Sequence, residues 1–237
     1  ALKAASLGGS LVGLCGAEFV CLAAMPSLSV DEESAAEKLA YAPERLWHVS
    51  RATAVAAVGF ARDAGLVEDF VRNEIAASSA TFGCDPPASR LADELADAVA
   101  AAARQSQPIG VHVVVAGVGP RGPLLSHVDP SGRELRATGF LAVGSNSDKL
   151  RNALQAQLDK YDDPLDLDAA KQVLKDTILA VYDDSGRLPP SGDDKRPPPS
   201  AEFAAITLAD YRASRRVAPL SSWVGSHKEP LFPTTPP

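Results

Sequence analysis

Cysteine is scarce in this 237-residue chain: Cys15, Cys21 and Cys84 make an odd and widely spaced set. No Cys-x-x-Cys pair occurs and no histidine stands at ligand spacing. The three therefore read as buried thiols in a reducing compartment, with zinc ligation as the alternative. Long hydrophobic runs are missing as well. The longest, such as residues 109–118, are too short to cross a bilayer and are broken by Gly and His, so no direct membrane span is expected. A basic surplus is also lacking. With 23 Lys and Arg against 30 Asp and Glu, the net charge of −7 argues against a nucleic-acid surface, which needs a concentrated basic face. Four scattered histidines give no metal constellation, and nothing calls for a cofactor. No basic-then-apolar leader stands at the start. The chain opens on Ala1 rather than Met, which predicts an upstream segment removed or not shown.

What is present is ordinary globular material. A hydrophobic content of 46% and a charged content of 22% suit one large domain with a full core. Apolar runs at 11–14 and 19–23, split by Gly16-Ala17-Glu18, read as a hairpin. Residues 31–40 read as a charged loop or one turn of helix. Runs at 46–49 and 52–60 predict a second strand pair. Helical spacing follows over 61–80, with Leu66, Phe70 and Ile75 toward one side, Gly83 as the stop and Asp85-Pro86-Pro87 as the turn. A second helix is predicted over 89–105, capped by Ser89, with Leu91, Leu95 and Val99 four apart. Its alanines allow another backbone to pack close.

Strand signals return at 109–118, around His112, and at 124–128. Asp129-Pro130-Ser131-Gly132 has the residues of a tight turn. One or two strands over 133–143, helices near 147–160 and 166–183, and a last strand over 203–208 complete the order. Strands and helices come in separate blocks, which predicts an α+β layered fold. The domain is expected over 1–216, with a Pro/Gly/charge loop at 185–200 and an extended Pro-rich tail over 217–237.

Single residues offer little chemistry by themselves. His48 and His112 sit within strand patterns and read as satisfied core or interface histidines, while His127 abuts the Asp129 turn and His227 lies in the tail. Gly8, Gly9, Gly13 and Gly16 faintly suggest a phosphate loop, but they lack its lysine and its strand-to-helix context, so a hairpin is the better reading. Asp162-Asp163 and Asp183-Asp184 flank helix ends and read as solvated, and Arg215-Arg216 as an exposed pair.

Several pieces in fixed order are similar to a known family. Ala1-Leu2-Lys3-Ala4, Gly8 and Ser10-Leu11-Val12-Gly13-Leu14 come first, then Glu44-Arg45-Leu46, Gly59-Phe60, Asp63, Arg72 and Glu74. Gln107-Pro108-Ile109-Gly110-Val111, the 129–132 turn, Ala137-Thr138 and Ala142-Val143-Gly144 follow. Together they cover about residues 1–208 and resemble the proteasome subunit family, α-type. The resemblance implies the four-layer αββα sandwich of the Ntn hydrolases. In active members of that fold an N-terminal threonine uses its own α-amine as base, tuned by an aspartate and a lysine. Here the nearest hydroxyl, Ser10, follows Gly9. An active reading would need cleavage between those two residues. Ala24 stands at the aspartate position, and Arg45, which cannot titrate near neutrality, at the lysine.

The resemblance therefore implies a non-catalytic structural subunit, most simply of a 20S proteasome α-type ring. Its partners would be ring neighbours and a stacked ring, with helices 61–81 and 89–105 as the inter-ring face, and an activator or regulatory particle. Arg45, Gly8 and Gly59 match the family's activator pocket, where a lysine meets a partner's C-terminal carboxylate; Arg45 reads equally as an ordinary strand-end cation. The family's signature before this point is absent, and the long loop and proline-rich tail depart from it. An alternative reading is a paralogue recruited to another large assembly. Cytoplasm and nucleus are the expected location, or an organelle if a transit peptide precedes Ala1.

Overall fold

Gly16-Ala17-Glu18 turns strand β1 (Ser10–Cys15) back on β2 (Phe19–Met25), with Ser10 opposite Met25 and Cys15 opposite Val20. The computed structural model describes residues 9–25, 45–105, 107–161, 163–184, 200–214 and 227–230. A second hairpin joins β3 (Leu46–Ser50) to β4 (Thr53–Gly59). Helices α1 (Ala61–Phe82) and α2 (Ala88–Arg104) follow, and then β5 (Val111–Gly119), β6 (Gly122–Val128), β7 (Glu134–Arg136) and β8 (Phe140–Gly144). Helices α3 (Ser147–Leu158) and α4 (Leu167–Asp184), strand β9 (Ser200–Thr207), helix α5 (Leu208–Ser214) and strand β10 (His227–Pro230) complete the described chain.

The strands form two five-stranded sheets, β10-β9-β2-β1-β8 and β3-β4-β5-β6-β7, antiparallel throughout. The strands are buried on both faces, which is why they read as near-continuous Val, Ala and Leu runs. Three separate apolar clusters show how the layers stack. Leu11, Val20, Leu22 and Ala24 of the first sheet meet Leu46, Ala56, Val58, Val114 and Leu125 of the second in a core between the sheets. The alternate side chains of the first sheet, among them Val12, Cys21 and Met25, pack on Leu150, Leu154, Val173, Leu174 and Ile178 of α3 and α4. Those of the second, including Trp47, Val55, Val113 and Val115, pack on Val67, Val71, Leu91, Leu95 and Val99 of α1 and α2. Two sheets sheathed by helices on each outer face are a four-layer αββα sandwich. The period of two along each strand assigns every second residue to the inner core.

Three local expectations need correction. Leu66 is not on the buried face of α1. It is 52% exposed, and Ala64, Val67, Val71, Ile75 and Ser78 are buried in its place. Leu66 and Phe70 are four apart, but the buried stripe is centred about a third of a turn away, set by Val67 and Val71. Ser89 does not cap α2, which begins one residue earlier behind Pro87 with no side-chain cap. The tail expected over 217–237 is not bare throughout, since His227–Pro230 within it form β10 and pair with β9 at the sheet edge. Gly83 does end α1, in the left-handed conformation (φ 68°), with its N–H on the Ser79 carbonyl. Residues 1–8, 31–40, 185–199, Asp162, Arg215-Arg216 and most of 217–237 lie outside the described residues, as do the side chains of Asp183, Asp184 and His227. Among the described residues, no helix is long and apolar enough to cross a membrane.

Candidate functional site

Four segments converge where β1 begins. Ser10 is 1% exposed, and its Oγ lies 3.1 Å from Ser145 Oγ and accepts the Asn146 N–H at 3.2 Å. The Ser145 N–H and hydroxyl both donate to the Gly9 carbonyl, at 2.9 and 3.2 Å. The 9–10 peptide is thus strapped to the junction of β8 and α3. The Ser10 hydroxyl meets another hydroxyl and a main-chain amide among the described residues. Ala24, opposite Leu11 on β2, presents a methyl group buried in the inter-sheet core.

Arg45 closes this end from β3's side. Its N–H and that of Leu46 both donate to one carboxylate oxygen, Oε2 of Glu202 on β9, at 2.8 and 3.0 Å. Its carbonyl accepts the Ala57 N–H at 2.9 Å. The guanidinium packs on Gly9, which has no room for a Cβ between Arg45 and the Met25 carbonyl. Burial pushes the Arg45 guanidinium down from its usual range and the Glu202 charge pulls it back up, while the group stays cationic. Gly9 is thereby brought against Arg45; Gly8 lies outside the described residues. Gly59 sits at the end of β4, two residues past Ala57. Its φ of 145° and a Val111 Cα that would lie 2.7 Å from any Cβ leave only glycine there. Beside it, the Phe60 N–H reaches the Gly110 carbonyl at 3.2 Å, and Asp63 of α1 accepts the Gly110 N–H at 2.7 Å.

The 129–132 turn is built as its residues foretell. Asp129 Oδ1 accepts the Ser131 N–H (2.7 Å), the Ser131 hydroxyl and the Arg133 N–H (3.1 Å), and the Gly132 N–H closes on the Asp129 carbonyl at 2.9 Å. Those donors hold the Asp129 carboxyl below its ordinary range against the opposing effect of burial. Gly132 (φ 84°) rides on α2 so closely that a Cβ would stand 2.6 Å from the Ala100 nitrogen. The alanine-rich helix does let a backbone pack close, and the backbone is this turn's.

One pairing went unread in the sequence. His112 Nδ1 and His127 Nε2 are 3.0 Å apart across β5 and β6, with ring centroids 5.1 Å apart. The two are fifteen residues apart, and only the β5–β6 register brings them together. Glu202 and the Ser145-Asn146 strap were missed for the same reason. The cysteines are free thiols, but only Cys21 is buried as expected; Cys15 is half-buried and Cys84, just past the end of α1, is exposed. No group of three or more potential ligand side chains forms a metal site among the described residues.

The three-core layering defines a class: the α+β, four-layer sandwich of the Ntn-hydrolase type. Comparison with known proteins narrows it. The family model described as Proteasome subunit matches residues 5–188. The probable proteasome subunit alpha type-6 of Schizosaccharomyces pombe is 27% identical over 183 residues, covering 75% of this chain and 64% of the relative. Two Drosophila melanogaster proteins match as well. Proteasome subunit alpha type-1 is 25% identical over 80% of this chain and 63% of its own length; alpha type-5 is 30% identical over 78% and 75%. This chain belongs to the proteasome subunit family, as a divergent α-type-like member. It spans less than two thirds of the length of the first two relatives.

Proposed function

We propose that this chain is a non-catalytic α-type subunit of a 20S proteasome, working by ring assembly and by restricting substrate entry. The α-type relatives support the ring assignment. One observation carries the non-catalytic half. Where the fold would hold a nucleophile with its aspartate and lysine, it has a buried Ser10 linked to Gly9, the methyl of Ala24, and Arg45.

Ring neighbours, a stacked ring and an activator are the partners this reading requires, and cytoplasm and nucleus its location. The exposed flanks of α1 and α2 are the faces it assigns to the stacked ring. Interfaces of that obligate kind bury on the order of 2,000–5,000 Å². The pocket role is assigned to Arg45 and Gly59, with Arg45 supplying charge in a fork geometry that differs from a lysine's.

An epitope-tagged copy expressed in cells should sediment with the peptidase activity of the 20S particle. A mechanism-based probe for N-terminal nucleophiles should leave Ser10 unmodified in that particle. A tagged copy that sediments only apart from the peptidase, or a probe adduct on Ser10, would overturn the respective half of the proposal.

A further inference from the structure

The His112–His127 pair lies outside everything the proposed function uses. His112 stands opposite Val58 on β4 and His127 opposite Val114 on β5, and both valines belong to the core between the sheets. Side chains alternate along a strand, and cross-strand neighbours share a face. The two imidazoles therefore project into the layer between the sheets, toward its end. They are joined by a 3.0 Å nitrogen–nitrogen hydrogen bond. Such a bond needs one ring to donate and the other to accept. The pair can hold one extra proton and keep the bond, but with two it has no acceptor left.

We propose that His112 and His127 form a proton-operated latch. With at most one added proton the rings hold β5 to β6 inside the layer between the sheets, and a second proton breaks their bond and drives them out of the layer, loosening this end of the sandwich.

The surroundings set the two protonations apart. Burial lowers the basicity of both rings, and for His127, pushed down to about 4, the charge of His112 adds to the effect. Asp129, two residues past His127, opposes it at both rings. Of the elements packed on β5 and β6, β4 brings no ionisable side chain, and β1 and β2 bring only Cys15 and Cys21. Strand β9 brings Glu202, which accepts the Arg45 and Leu46 amides, and α5 brings Asp210, Tyr211 and Arg212. Strand β7 adds Glu134 and Arg136, which bond to each other, and α1 and α2 present their charges from the opposite face of the sheet. None of these but Asp129 acts on both rings.

The test is an NMR titration of both imidazoles in the folded chain, with amide-exchange protection read along β5 and β6 from pH 7 to pH 3. Wild-type protein should show two separated steps for the pair, and protection in β5 and β6 should fall about tenfold across the lower one. In His112→Gln, the remaining His127 should titrate in a single step, shifted upward by on the order of one unit, because its charged neighbour is gone. His127→Gln should likewise leave a single step for His112. Independent titration of the two rings near pH 6.5 in wild type would overturn the latch. So would protection that falls equally in wild type and in the double variant.

Discussion

Removing the Glu202 carboxylate should loosen the sandwich at one chosen seam. Oε2 of Glu202 accepts both the Arg45 and Leu46 amides where β3 begins, reaching them from the other sheet at 2.8 and 3.0 Å. Hydrogen bonds to a charged acceptor contribute about 1.5–3 kcal/mol each. Water can reach this half-buried site and replace part of that, so Glu202→Ala should cost about 2–3 kcal/mol in all. At about 2–4 °C per kcal/mol for a chain of this size, the melting temperature should fall by about 5–10 °C. Glu202→Gln keeps an acceptor oxygen and loses the charge, so about 1 kcal/mol is expected. The assay is equilibrium urea unfolding of the three proteins, with amide exchange of Arg45 and Leu46 as the local readout. An alanine variant within about 0.5 kcal/mol of wild type would refute the argument, as would a glutamine variant as unstable as the alanine one.

Other expectations follow from packing and ionisation. Gly132→Ala places a Cβ against the α2 backbone at a left-handed φ, so unfolding should show a loss of about 2 kcal/mol or more. Leu95→Ala empties a fully buried position in the α1–α2 core and should cost about 2–5 kcal/mol by the same measurement. A thiol reagent at pH 8 should label Cys84 rapidly and Cys15 more slowly, and should reach Cys21 only on unfolding. Burial raises the Cys21 pKa from 9.0 to about 12, so its folded form keeps the proton that the unfolded form gives up. Its contribution to stability is full below pH 9 and is lost as pH rises toward 12, and a Cys21→Ala variant should lack that part of the alkaline slope.

Much of the fold was legible because strand and helix periods are written locally. The hairpin at 10–25, the 53–59 strand and the 129–132 turn all sit where runs and turn residues put them. Helix faces were less secure. Leu66 is as apolar as its buried neighbours, and only docking on β3 and β4 decides that Val67 and Val71 face inward. The Ser89 cap was misplaced because proline at 87 sets the helix start without a side-chain acceptor. The sequence singled out Ser10, Ala24, Arg45 and Gly59 one by one, but not the residues that each of them touches. Glu202 is 157 positions from Arg45, and Ser145 is 135 from Ser10. Contacts of that range depend on sheet order, β9-β2-β1-β8, which local periodicity does not encode.

Whether this sandwich works as one member of a proteasome ring is tested most directly by native mass spectrometry of the assembly isolated with it. The account predicts a particle of stacked rings in which this chain sits among other α-type subunits above peptidase-active ones. A particle built of unrelated chains, or this chain found alone, would contradict it.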